Sequence, residues 1–399
     1  MAQQQQSTIN VCLVGQKFMG RTHSNAFLKV GKFFGDVPVL PVMHTIVGRN
    51  REELEQFKSQ WGWKNASTDW KSAVTSGEIG LVDIGTPNDV HAEQSIAALE
   101  AGKHVACEKP LAGTLADAKK MRDAARKAKG KTFVWYNYRR VPAVALAHQF
   151  VREGKLGRIY HVRAAYLQDW GGPDVPLLWR FQKKNAGSGA HGDLNAHIID
   201  MARFITGDEV TEVIGSVAET FIKERKIVES GPKGGIAGGT AGGGQMGKSD
   251  VDDAVLFLAR FGKGAVASFE ATRLATGNQN RNKIEINGDK GSVRFDFEDM
   301  NYLDYYDATA PRKQQGWTRI MVTHGGDHPY VGNWWPDAHI IGYEHGFVNQ
   351  VADMMNAIGG KAPVVPLPDF EDAYKTQQVL EAAIVSAQNR SPVKVSEMK

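Results

Sequence analysis

Along the first 135 residues, short apolar runs rich in β-branched side chains alternate with longer stretches whose apolar positions recur every three or four residues. The runs are residues 9–14, 41–47, 79–84, 104–107 and 132–135. Continuous apolar runs of this length, ended by glycine or polar residues, are the mark of strands buried on both faces. Between them, residues 21–30, 52–61, 91–101 and 115–129 read as helices, the last two stopped by Gly102 and Gly130. Such alternation predicts a parallel sheet wrapped by right-handed crossovers, the architecture of dinucleotide-binding domains.

After about residue 137 the period shifts towards two. Residues 159–166, 212–221, 254–261, 265–271, 283–287 and 292–297 read as strands, several joined by tight turns such as Gly262-Lys263-Gly264. Helices are expected over 143–153, 191–206, 342–358 and 369–389. The fold class is therefore α/β, with residues 1–136 as a nucleotide-binding domain. Residues 137–399 form an α+β domain on a mostly antiparallel open sheet, and the C-terminal helix is expected to pack back on the first domain. A sheet with helices on one face leaves the other bare, so a homo-oligomer, dimer or tetramer, is expected through it. Residues 231–247 hold nine glycines in seventeen positions and read as a mobile loop.

Composition narrows the classes. The chain of 399 residues exceeds what one core usually supports. A net charge of +4 from 48 basic and 44 acidic side chains argues against a dedicated nucleic-acid or membrane surface. No apolar run approaches the roughly 20 residues of a membrane span. The start, Met1 to Ser7, lacks the regions of a secretory signal. Cys12 and Cys107 fall in buried runs and read as packed thiols, so a cytoplasmic setting is expected.

The chemistry begins at Gly15-Gln16-Lys17-Phe18-Met19-Gly20, between the first strand and helix. The first glycine permits the turn and the last permits close helix–strand packing, but Lys17 replaces the usual middle glycine. Lys17 must either point away from a pyrophosphate or meet it as a charge, while backbone amides at the helix start remain for the phosphates. The second strand ends at Gly48-Arg49 without the acid that usually grips a ribose 2′-hydroxyl. Arg49 suits a 2′-phosphate or an adenine face, yet Glu52 and Glu53 would repel a phosphate, which favours NAD with NADP as the alternative. In Glu108-Lys109-Pro110 the proline restricts the preceding lysine, aiming an amine from a defined backbone. Asp193 and His197 are four residues apart on an expected helix and share its face. Tyr138, Gln168, Trp170, Trp179, Arg180, His324, His328, Tyr330, Trp334 and Trp335 supply the polar groups and flat rings a sugar needs.

Gly85-Thr86-Pro87-Asn88 with His91, and Ala101-Gly102-Lys103-His104-Val105 leading into Glu108-Lys109-Pro110-Leu111, resemble the Gfo/Idh/MocA oxidoreductase family. Asn137-Tyr138-Arg139-Arg140 and Gly192-Asp193 with His197 and Asp200 agree. The resemblance implies an N-terminal Rossmann domain, an oligomerising C-terminal sheet, and hydride exchange between NAD(P) and a sugar or cyclitol carbon. It implies Lys109, Asp193 and His197 as catalytic groups, without deciding whether Lys109 or His197 is the base. It also places Gly15, Lys17, Phe18, Met19, Gly48, Arg49, Thr86, Pro87, Asn88, His91, Glu108, Lys109 and Arg180 around the cofactor. Phe18-Met19-Gly20, Leu167-Gln168-Asp169-Trp170 and Trp179-Arg180-Phe181-Gln182 look most like the levoglucosan dehydrogenase and glucoside 3-dehydrogenase branch. Tyr138, Gln168, Trp170, Trp179, Arg180, His324 and Trp335 then face a small carbohydrate.

Three rival readings remain at this level. His191, Asp193 and His197, or His324, Asp327 and His328, have the chemistry of metal ligands, although no metal is expected. A catalytically silent dinucleotide-binding regulator would bind cofactor without turnover. A glycoside-cleaving enzyme would oxidise its substrate transiently and return to NAD⁺.

Overall fold

β1 (Ser7–Val14) carries the first apolar run, and its last four residues are buried. It is followed by α1 (Phe18–Phe33), β2 (Val39–Val47), α2 (Arg51–Trp61), β3 (Asn65–Ser67), α3 (Trp70–Thr75), β4 (Leu81–Ile84), α4 (His91–Glu100), β5 (His104–Cys107), α5 (Leu115–Lys127) and β6 (Thr132–Val134). The strands form one sheet in the order β3-β2-β1-β4-β5-β6, and every pair is parallel. β3 and α3 have no counterpart in the sequence reading, because three and six residues are too few to show a period. Side chains of Asn50, Asp69 and Thr114 cap α2, α3 and α5. This is a computed structural model, and it describes residues 6–228 and 241–399.

The second half runs through α6 (Pro142–Arg152), β7 (Ile159–Leu167), α7 (Lys183–Ala186), α8 (Ala196–Thr206), β8 (Val210–Glu219), β9 (Glu224–Val228) and β10 (Ala241–Lys248). It continues with β11 (Ala254–Phe261), β12 (Val266–Thr272), β13 (Arg281–Gly288), β14 (Gly291–Asp296), β15 (Tyr302–Asp307) and β16 (Trp317–Met321). The last elements are α9 (Tyr343–Ile358), α10 (Phe370–Asn389) and β17 (Val393–Lys394). Nine strands form a sheet in the order β16-β15-β14-β13-β7-β12-β11-β8-β17. The sheet is mixed: β12 lies parallel to β7, while the other pairs are antiparallel. Turn chemistry marks β11–β12 as a hairpin, but it does not say which distant strand the hairpin will border.

The chain divides into two compact units. One holds Met1–Arg140 and Gly342–Tyr374, and the other Val141–Ile341 and Lys375–Lys399. In the first, α9 packs on α1, with Tyr343 facing Phe18 and Phe347 tilted against His23. In the second, α6 and α8 cover one face of the large sheet. On the uncovered face, β11 alternates inward and outward, leaving Leu256 and Leu258 exposed beside Val217. The expected glycine-rich loop is corrected in part. Residues 241–247 belong to β10, which pairs with β9; residues 231–240 lie outside the described residues. Glycines present no side-chain alternation, so backbone pairing there leaves no trace in the hydrophobic pattern.

Candidate active site

In the first unit, the turns after β1, β2, β4 and β5 all leave the same, C-terminal edge of the parallel sheet, where such sheets bind nucleotides. Gly15 has φ +118°, and a Cβ there would sit 2.6 Å from the Gly85 carbonyl oxygen. A Cβ on Gly20 would sit 2.2 Å from the carbonyl oxygen of Gly15. Both positions need glycine, and together they let α1 start hard against the strand ends. No side chain caps α1, so its first amides are presented as an anion site. Lys17 turns to Glu53, with 2.5 Å between amine and carboxylate, and that bond, aided by Gln16, holds the Glu53 carboxyl below its ordinary range. Of the two roles open to Lys17, the structure therefore shows it engaged on α2. Gly48 and the exposed Arg49 follow β2. This glycine cradle and uncapped helix start fit a dinucleotide pyrophosphate.

His91 begins α4 fully buried, and its ring joins two of these turns. Nε2 lies 3.0 Å from the Thr86 carbonyl oxygen, and Nδ1 lies 3.2 and 3.3 Å from those of Pro110 and Leu111. Burial lowers its pKa, and the ring packs between the two turns. Thr86 donates its hydroxyl to Gln94 at 2.9 Å, and Pro87 precedes a single helical turn that starts at Asn88. The Lys109–Pro110 peptide is cis, and Lys109 is half-buried.

Behind Glu108 lies a chain of buried groups that the sequence reading did not single out. His23 Nδ1 is 2.9 Å from Asp83 Oδ2, and its Nε2 is 3.1 Å from Glu108 Oε1. Trp135 donates Nε1–H to Asp83 Oδ1 at 2.8 Å and stacks on the imidazole at 4.0 Å. The Lys109 amide donates to Glu108 Oε2 at 3.1 Å. Burial works against a charged imidazole, but Asp83 and Glu108 overcome it and raise the His23 pKa to about 9. The signal that was available was Asp83, an acid inside the apolar strand Leu81–Ile84. Burial pushes the nearby Cys12 thiol up to about 12 and raises Cys107 as well, which makes both inert packing groups.

In the second unit, Asp193 lies in a π-helical turn, His191–Asn195, that leads into α8, where His197 is buried. The α-helical spacing assumed for Asp193 and His197 is thus corrected, since a π turn winds more widely. Asp252 pins the turn by accepting from the Gly189 and His191 amides at 2.9 and 2.7 Å. Arg273, also missed in the sequence, donates to Asp193 Oδ2 at 2.8 Å and to the Gly189 carbonyl at 3.1 Å. It also reaches the Arg180 carbonyl at 3.4 Å and lies 5.1 Å from the Trp170 ring centre. Gln168 accepts from Trp170 Nε1 at 2.6 Å and donates to Asn280 at 2.7 Å. Arg180 lies over Trp179 at 4.5 Å. Arg225, fully buried on β9, covers Phe181 at 3.7 Å and donates to the Gly171 and Gly172 carbonyls.

Arg273 thereby gathers Asp193, Trp170 and Arg180, and Gln168 joins them through Trp170. His324 and Trp335 lie on the segment between β16 and α9, where the Gly325 amide donates to Asp337 at 2.7 Å. Tyr138 is buried in the first unit, in the helical turn Asn137–Arg140. Among the described residues no three His, Cys, Asp or Glu side chains gather as metal ligands. His191 in particular has Nε2 2.8 Å from the Leu380 carbonyl and Nδ1 2.9 Å from the Asn195 amide. No helix among the described residues is long and apolar enough to cross a membrane.

Residues 9–137 match the oxidoreductase family with an NAD-binding Rossmann fold, and residues 144–294 match the GFO/IDH/MocA C-terminal domain. The chain belongs to the Gfo/Idh/MocA oxidoreductase family. This oxidoreductase is 40% identical to levoglucosan dehydrogenase of Pseudarthrobacter phenanthrenivorans, over 98% of this chain and 99% of that one. A solved levoglucosan dehydrogenase in complex with NADH and L-sorbose matches with a TM-score of 0.90 at 40% identity, covering 98% of this chain and 99% of that one. An oxidoreductase domain protein from Kribbella flavida matches at 46% identity with a TM-score of 0.90, over 98% and 99% of the two chains. The Rossmann expectation and the NAD assignment therefore hold, and the C-terminal sheet is mostly antiparallel, as expected, with one parallel pair.

Proposed function

We propose that this oxidoreductase transfers hydride between NAD and a secondary hydroxyl, at C3, of a sugar, anhydrosugar or glycoside. The observation that carries the reading is Lys109, set at the C-terminal edge of the NAD-binding sheet on a backbone that Glu108 holds from behind. The match to levoglucosan dehydrogenase over nearly the whole of both chains supports a carbohydrate substrate. The likeness of Trp179-Arg180-Phe181-Gln182 to enzymes acting on the 3-hydroxyl supports the position.

Alcohol oxidation needs a group to take the hydroxyl proton and a donor for the oxygen as charge develops on it. NAD⁺, held by the Gly15–Gly20 turn and the uncapped start of α1, would supply the hydride acceptor. Lys109 donates to the reacting oxygen, and His197 is the partner for its proton. Asp193 is held by the Arg273 guanidinium, which suits it to orient a neighbouring hydroxyl rather than to take the proton. Gln168, with Trp170 and Trp179, supplies the hydrogen bonds and flat surfaces that a pyranose ring uses. The uncovered face of the large sheet, with exposed Val217, Leu256 and Leu258 among Arg163–Glu285 and Arg294–Asp304 pairs, suits a second copy of the chain.

The test is a panel of sugars, anhydrosugars, glucosides and inositols with NAD⁺, followed by the absorbance of reduced nicotinamide. Net NADH on a carbohydrate with a free 3-hydroxyl is expected, falling by at least about 10²-fold in Lys109→Met. Turnover that leaves no net NADH, or that survives in Lys109→Met, would overturn the proposal.

A further inference from the structure

We infer that His23, which touches neither substrate nor cofactor in this scheme, is a positioning residue for Lys109, acting through Glu108. The inference deepens the proposed reaction and rests on Lys109 serving it. Each carboxylate in the chain has both oxygens engaged: Asp83 by Trp135 and His23, Glu108 by His23 and the Lys109 amide. Ionised carboxylates only accept hydrogen bonds, so the two bonds to His23 require N–H on both ring nitrogens. Between two ionised carboxylates the ring is an imidazolium, and that single cation fixes both anions. Trp135 covers one side of the ring, and Phe347 of α9 is tilted against it.

The parts come from four places in the chain that meet under the strand ends: α1, the strand β4, the turn after β5 and the residue following β6. His23 is completely buried, and the groups are held at 2.8–3.1 Å. A lysine on a turn has a mobile stem, and its aim depends on how firmly the backbone beneath it is held. Glu108 supplies that hold by taking the Lys109 amide, and His23 prevents the Glu108 carboxylate from rotating away. A buried network whose members are all satisfied specifies one geometry, and misplacement of a reacting group by about 1 Å costs on the order of 10²-fold in rate.

The experiment compares His23→Gln with His23→Asn in the full-length enzyme, on a carbohydrate that the wild type oxidises in a Lys109-dependent way. A glutamine amide reaches the place of Nε2 and still donates to Glu108; an asparagine amide reaches only the place of Nδ1 and Asp83. The expected result is a kcat lowered about 10-fold or more in His23→Asn and less in His23→Gln. KM for the sugar and NADH affinity, read by fluorescence titration, should stay within about threefold. Folded variants with unchanged kcat, or losses shared equally by kcat and NADH affinity, would overturn the inference. A second measurement needs no variant. Nitrogen NMR of selectively labelled histidine in the wild-type holoenzyme should show a ring still doubly protonated at pH 8, and a neutral ring there overturns the inference. That spectrum stands even if no sugar on the panel is oxidised, which would count against the proposed reaction alone.

Discussion

Raising the pH should remove a defined part of the stability of the first unit, because one buried ring carries it. His23 has a pKa of about 9 in the folded chain against an ordinary 6.5. A group that binds its proton more tightly when folded stabilises the fold fully below its unfolded pKa, and the contribution is lost as pH rises through the folded one. Holding the proton from an ordinary 6.5 up to about 9 gives a stabilisation of about 3 kcal/mol at pH 6. It falls to about 2 kcal/mol near pH 7.5 and to almost nothing above pH 9.5. Other groups also titrate in this range, so the measurement is a difference. Urea unfolding of wild type and His23→Gln is followed by tryptophan fluorescence at several pH values from 6 to 9.5. The wild-type advantage should shrink steadily across the upper half of the range, since glutamine does not titrate. If the two curves shift in parallel all the way to pH 9.5, the imidazolium between Asp83 and Glu108 is not there.

Two further outcomes follow from the second unit. Arg273→Met takes away a buried donor from the partly exposed Asp193 and from the Gly189 carbonyl, which costs on the order of 1–3 kcal/mol. Calorimetry should show a lower Tm with Arg273→Lys between it and wild type, and a Tm equal to wild type would refute the clamp. If a second copy covers the open sheet, Leu258→Arg, at a side chain 56% exposed on β11, should shift the mass by light scattering towards the single chain. An unchanged mass would place any self-association elsewhere.

Much of this was legible in the residues because it depends on neighbours in sequence. The apolar runs before Gly15, Gly85 and Glu108 end in three buried residues each, among which Asp83 is the one polar side chain. The two glycines of the first turn report a clash that any Cβ would meet, so the nucleotide edge could be placed without coordinates. Lys109 and His197 were named from motifs, which record what a site needs one residue at a time.

What escaped depends on partners far along the chain. His23 lies 60 and 85 residues from the carboxylates that charge it. Arg273 lies 80 residues from Asp193, and in the sequence each reads as an ordinary polar residue. The parallel pairing of β7 with β12, the strand in the glycine-rich stretch, the π turn before α8 and the return of Gly342–Tyr374 to the first unit are of the same kind. By itself the sequence determined the period of each element, the turns that need glycine and the side chains able to do chemistry, since these follow from local sterics and burial. Only the tertiary structure decided which buried charges meet, because the energy of a charge away from water is set by the atoms folded around it.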